Sequence, residues 1–197
     1  AGTAVPFVVP GGLYGLWSGS LSLNTPNRAL TFNGSLGAGE LPIFAEAAAG
    51  RGVDGLVAAA WKPPAALRIE GRWAHRRLTR AADGSWFSTA NIPRLKLEYQ
   101  LTRDIFVRYV GQYDAQERDA LRDPITGNPL IVDSVTAGPE TSTDFRNDVL
   151  FSYKPTPGTV LFLGYGASLA DRDPFAFQEM ERTSDGFFLK ISYQFRL

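Results

Sequence analysis

The sequence predicts an all-β fold, an antiparallel up-and-down meander of about nine strands, and three observations predict it. Apolar and polar residues alternate with a period of two through one run after another, which sends successive side chains to opposite faces of a strand. The composition agrees: 44% hydrophobic residues are too many for disorder, and 20 glycines are too many for a helix bundle. The links between runs also fall into two sets, tight turns and long connections, in strict alternation. The length of 197 residues suits one domain, here the whole span 1–197.

Each run justifies its strand. Residues 28–40 set Leu30, Phe32, Gly34, Leu36 and Ala38 against Thr31, Asn33, Ser35 and Gly37. Residues 67–76 set Leu67, Ile69, Gly71 and Trp73 against Arg68, Glu70, Arg72 and Arg76. Residues 94–101 set Leu95, Leu97, Tyr99 and Leu101 against Arg94, Lys96, Glu98 and Gln100. Ile105, Val107, Tyr109 and Tyr113 then oppose Arg108, Gln112 and Asp114, with Phe106 and Val110 blurring the polar side. Residues 145–154 place Phe145, Val149, Phe151 and Tyr153 opposite Arg146, Asp148, Ser152 and Lys154. The last run is the most regular, with Phe187, Leu189, Ile191, Tyr193, Phe195 and Leu197 against Lys190, Ser192, Gln194 and Arg196. Weaker strands are expected at 12–24, 55–62 and 159–168.

The connections give the meander a direction. Tight turns are expected at 24–27, 63–65, 102–104 and 155–158, and long loops at 41–54, 77–93, 115–144 and 169–184. Short turns at one rim and long loops at the other are what outer-membrane barrels show, and a sandwich has no reason to obey that rule. Most runs reach the roughly 9 to 11 residues that cross a bilayer at a tilt, where soluble strands average about five or six. Trp17, Trp61, Trp73, Tyr99, Tyr113, Tyr153 and Tyr193 lie near strand ends, as interfacial aromatic girdles require. With nine strands the first and last point the same way, so at least one upstream strand is expected, making this the C-terminal part of a longer barrel, or else another protein chain must cover the open edges.

Composition narrows function. With no cysteine, thiol catalysis, disulfides and Cys-bound metals are excluded, and one histidine, His75, leaves little for metal or triad chemistry, so no catalytic residue, cofactor or metal is expected. Twenty basic residues balance twenty acidic ones, so nucleic acid is not an expected partner. No apolar run is long enough for a spanning helix, and the opening AGTAVPFVVPGG lacks the basic and continuous apolar regions of a signal peptide. The acidic loop at 114–144 lacks EF-hand spacing and reads as solvated. GVDG, GYG and GAGE suit turns or bulges, and AEAAAG at 45–50 is a short helical candidate within a long loop.

The stretches VVPGGLYGLW (8–17), NRALTFNGSLGAGE (27–40), AWKPPAALRIEG (60–71), FSYKPTPGTVLFLGYG (151–166) and GFFLKISYQFRL (186–197) span nearly the whole chain in order. In them the chain resembles the C-terminal barrel domain, of undefined function, of bacterial proteins that often carry a family-9-like carbohydrate-binding module at their N-terminus. That resemblance implies an outer-membrane barrel and supplies no catalytic residues. The binding module and upstream strands of the family have no counterpart in these residues. The last strand also looks like an outer-membrane insertion signal, with polar Asp185 and Gly186 followed by alternating apolar residues to Phe195 and Leu197.

Two faces follow. The polar face should carry Arg68, Glu70, Arg72, Arg94, Lys96, Glu98, Arg108, Arg146, Asp148 and Lys190. The face toward membrane lipid or a partner should carry Leu30, Phe32, Leu67, Ile69, Trp73, Leu97, Tyr99, Val149, Phe151, Leu189, Ile191 and Tyr193. Adding Arg76, Lys154, Arg196 and Asp114 to the polar face gives ten cations against four anions, an excess of six, which a closed barrel would use to favour anions. The expected function is a non-enzymatic segment of the bacterial outer membrane, for embedding, anchoring or passive passage of small solutes. A second reading stays open, an accessory subunit, peripheral on a larger membrane complex that it stabilises. A lipocalin-like ligand barrel is disfavoured, because its pocket should be apolar.

Overall fold

The computed structural model describes residues 15–63, 66–171 and 180–194. Period-two alternation produces strands at β1 Ser18–Thr25, β2 Leu30–Ile43, β3 Ala48–Trp61, β4 Leu67–Arg80, β5 Trp86–Gln100, β6 Ile105–Arg118, β9 Glu140–Thr156, β10 Thr159–Asp171 and β11 Glu181–Ser192. Two further strands, β7 Ile131–Val132 and β8 Val135–Thr136, form a separate hairpin between β6 and β9. The nine long strands make one antiparallel sheet in the order β1-β2-β3-β4-β5-β6-β9-β10-β11, and the sheet is not closed. The all-β meander is therefore as the alternation requires.

The strict alternation of short and long connections is not observed. Where loops were expected at 41–54 and 77–93, β2 continues to Ile43 and β3 begins at Ala48, while β4 continues to Arg80 and β5 begins at Trp86. The residues expected to form a helix, AEAAAG, instead finish a single 3-10 turn, Phe44–Glu46, and then start β3. An isolated helix of that length cannot offset its nucleation cost, whereas the same backbone gains a ladder with β2 from Ile43↔Ala48 onward. Only 119–139 is a long excursion among the described connections. Its hairpin turns at Asp133 and Ser134, both with positive φ, as the two-residue turn that matches strand twist demands.

The strands run 12–17 residues apart from β1, which has eight, and their outer ends do something the alternation did not announce. Along most of the sheet one face carries the charged residues and the other the apolar ones. Near the 44–47 and 81–85 connections the polarity inverts. Leu41, Ile43 and Leu78 continue the phase of the charged face, while Glu40, Arg51, Arg77 and Thr79 continue that of the apolar face. Ile43, Phe87 and Leu121 form a small buried cluster there, with Leu78, Leu130 and Ala137 packed on it. The segment 119–139 thus folds over the inward face at this end of the sheet, which is why Leu41, Ile43 and Leu78 point inward here.

Gly39 shows how closely the first strand lies. A Cβ at Gly39 would come within 2.6 Å of the Trp17 carbonyl oxygen, and the Glu40 N–H donates to that same oxygen at 2.8 Å. The glycine lets β1 dock on β2.

Candidate functional site

Ladder register settles which side chains share a face, because direct partners in an antiparallel pair project to the same side. On the inward face β4 and β5 align Arg68 with Glu98, Glu70 with Lys96 and Arg72 with Arg94. β6 and β9 then align Arg108 with Leu150, Val110 with Asp148 and Gln112 with Arg146, and β11 sets Lys190 beside Phe162. Leu30, Phe32, Leu67, Ile69, Trp73, Leu97, Tyr99, Val149, Phe151, Leu189 and Ile191 fall on the opposite, outward face. Tyr193 is exposed just beyond β11. Phe195, Arg196 and Leu197 lie outside the described residues, as does most of the 169–184 connection.

The longer strands change the charge arithmetic of the inward face. Register adds Arg80 and Arg118 to the cations and Asp54, Glu140, Asp144 and Glu181 to the anions. Without Arg196, eleven cations face eight anions, so the excess is three rather than six. Part of it is neutralised locally. Lys96 lies 3.0 Å from Glu98 and 3.7 Å from Glu70, Arg68 pairs with Glu70 and reaches Glu98 at 3.9 Å, and Arg118 holds Glu140 at 2.7 Å.

The sheet curls so that residues from β2 to β11 line one cavity of about 800 Å³ on this face. Its charged lining is Arg68, Glu70, Arg72, Arg94, Lys96, Arg108 and Asp148. At the short-turn end the lining becomes aromatic. The Lys154 ammonium sits 5.8 Å from the Phe106 ring centre and 5.9 Å from that of Phe162, with Ser152 fully buried on the same face.

At the other end of the inward face the 119–139 segment forms a roof over Ile43, Leu78 and Phe87, and one side chain ties that roof down. Arg80, 5% exposed, donates through Nε and Nη2 to the two Glu46 carboxylate oxygens at 2.8 and 2.6 Å. It also donates to Asp119 Oδ2 at 2.8 Å, to the Trp86 carbonyl at 3.0 Å and to the Ala120 carbonyl at 2.9 Å. Its guanidinium lies over the Phe87 ring at 5.1 Å. Three connections meet on one planar cation with five donors, a task a lysine ammonium cannot perform. Glu46 also accepts the Arg122 N–H at 3.0 Å, and Arg122 reaches Asp83 at 3.1 Å. Sequence reasoning missed this knot, since Glu46 lay in an alanine stretch and Arg80 in a presumed loop.

The carboxylates around it are acidified. The hydrogen bond from Arg80 holds Asp119 below the usual carboxylate range. Backbone N–H donors do the same for Asp83, from Ser85, and for Asp123, from Ile125. Because folding lowers these values, their contribution is full above the ordinary carboxylate pKa near 4 and is lost as pH falls through the lower folded value. Below about pH 4 the roof is expected to loosen before the sheet does. Hydrogen exchange, corrected for intrinsic rate, should show the Leu121 and Leu130 amides losing protection first; both are bonded within the roof at 2.9 Å. Equal protection down to pH 2 would contradict this.

His75 Nδ1 lies 2.8 Å from the Asn91 side-chain oxygen, and its ring centre is 6.0 Å from that of Trp73. These polar side chains form one outward row, beyond which Arg77 pairs with Thr89 in the ladder. His75 therefore marks an upper rim of the apolar face, and Trp17 and Trp73 lie near that rim while Trp61, Tyr99 and Tyr153 lie near the short-turn rim. Tyr113, expected in a girdle, is only 4% exposed and so is a packed residue. Among the described residues no group of His, Asp and Glu is arranged to hold a metal, and no helix is long and apolar enough to cross a membrane. Compared with family models, curated proteins and solved structures, the chain matches none.

Proposed function

We propose that the chain is a non-enzymatic, membrane-embedded β-sheet, a segment of an outer-membrane barrel that anchors and, when its lumen is closed by further strands, passes small solutes. One observation carries this reading: a broad apolar band is exposed on the outward face. Among the described residues few hydrophobic side chains are buried, while Leu21, Val57, Trp73, Leu95, Leu163, Phe187 and Ile191 of the outward face are exposed. A water-facing sheet would leave that area uncovered at a cost of about 25 cal/mol per Å².

The band has the right height. On β4 it runs from Leu67 to His75, eight steps of about 3.3 Å, or about 20 Å after a tilt near 40°, close to the roughly 25 Å apolar belt of such barrels. Aromatic residues at both limits suit the headgroup region. The inward face, rich in charged residues and lining a cavity of about 800 Å³, suits a lumen.

A second reading is favoured by the open edges. All eight residues of β1 and all twelve of β11 are exposed, and edges of that length invite pairing. An accessory subunit docked on a larger membrane complex would have them covered by its partner.

Reconstitution separates the two. The embedded sheet should float with liposomes, resist alkaline carbonate and need detergent for release, whereas a docked subunit should be stripped by carbonate or salt. In planar bilayers under unequal salt, a closed pore with a net basic lining is expected to give an anion-selective current. Cation-selective current, or none from protein that has inserted, would sink the passage role.

A further inference from the structure

Three consecutive inward rows of β4 and β5 can be compared directly, since they share strands and face. Arg68 stands opposite Glu98 and Glu70 opposite Lys96, both complementary and ion-paired within one network. The third row sets Arg72 opposite Arg94. Like charges in direct cross-strand partnership are destabilising, with Cβ atoms only about 5 Å apart. Neither guanidinium has a carboxylate within ion-pairing distance among the described residues, and both are exposed to the cavity of about 800 Å³ that they line. Ala58, the partner of Arg72 on β3, leaves room beside the row, and Gln112, the partner of Arg94 on β6, adds a polar side chain to it. Arg108, also without an acidic partner within ion-pairing distance, lines the same cavity.

We infer that Arg72 and Arg94 form a binding site for a phosphoryl oxyanion, free or carried on a headgroup, on the inward face of the sheet. A tetrahedral oxyanion between two guanidinium forks accepts paired N–H bonds from each and turns the repulsive row into a bridged one. Lysines at these positions would supply charge without the fork. The site goes beyond the membrane reading, because it needs only the curled sheet and its cavity.

The test uses the full chain in a nonionic detergent free of phospholipid, with inorganic phosphate titrated by calorimetry. Phosphate is expected to bind and to raise the thermal midpoint, while chloride at equal ionic strength does neither. Arg94→Gln and Arg72→Gln should each weaken phosphate binding at least tenfold and, in phosphate-free buffer, unfold no lower than the parent, since they remove a like-charge contact. Arg68→Gln, which spares the row, should weaken binding less than threefold. Short-chain phosphatidic acid binding more tightly than inorganic phosphate would assign the oxyanion to a headgroup, and the reverse to a free solute. No phosphate binding by the parent chain, or equal loss in all three variants, would overturn the site. Neither result touches insertion into liposomes, so the two readings fail separately.

Discussion

Arg80→Met is expected to cost about 3 to 5 kcal/mol of folding stability, the range for breaking a buried ion pair from one side. Methionine keeps much of the packing over Phe87 but leaves Glu46, 1% exposed, with a buried negative charge and no cation. It also strands the Trp86 and Ala120 carbonyls that Arg80 now serves. Adding Glu46→Gln should recover part of the loss, because the uncompensated charge goes while the stranded carbonyls remain. Arg80→Lys should fall between, since one ammonium cannot reach three connections at once. Denaturant unfolding in detergent measures all three variants, and a loss below about 1 kcal/mol for Arg80→Met would show that water reaches Glu46 after all.

Leu97→Arg is the second large effect, about 2 to 4 kcal/mol if the residue lies near the middle of a bilayer. Leu97 is flanked in its outward row by Ile69 and Tyr109, both part of the apolar band. The informative comparison is Thr141→Arg, on the same outward face but above the His75–Asn91 row and beside Glu117. A membrane-embedded sheet tolerates the second and not the first. Similar, small effects of both on stability and on liposome flotation would mean that water covers the whole outward face.

How much of this was legible depends on where polarity keeps phase. Through the middle of each strand the alternation holds, so Arg68 through Arg72 and Arg94 through Glu98 could be assigned to one face without a structure. Toward the 44–47 and 81–85 connections the inside becomes apolar and the outside polar, so GRGVDG and RRLTRAAD look like loops when read in a fixed phase. The signal was present in Leu41 and Ile43, which extend the phase of Ser35 and Gly37, but it needed the roof to explain it. The pairing of Arg72 with Arg94 was hidden for a different reason. Each strand shows its own face, and only register says which residues of two strands stand together.

The ladder of neighbours carries a consequence for how the protein assembles. Every strand of the large sheet pairs only with the strand before and after it in the chain, once the β7–β8 hairpin is set aside. Folding can therefore proceed as successive zippering of hairpins, each new strand templated by the edge just made, with few long-range closures to slow it. The exception is β6 with β9, where the connection is residues 119–139 rather than a four-residue turn such as 101–104. Closing that longer loop costs about 1.5 kcal/mol more in chain entropy. The cluster of Leu121 and Leu130 on Ile43 and Phe87 can offset this only after β2 to β5 have formed. The chain thus has a built-in order, in which β2 to β5 make the platform, the roof segment lands on it, and that landing delivers β9 to the waiting edge of β6.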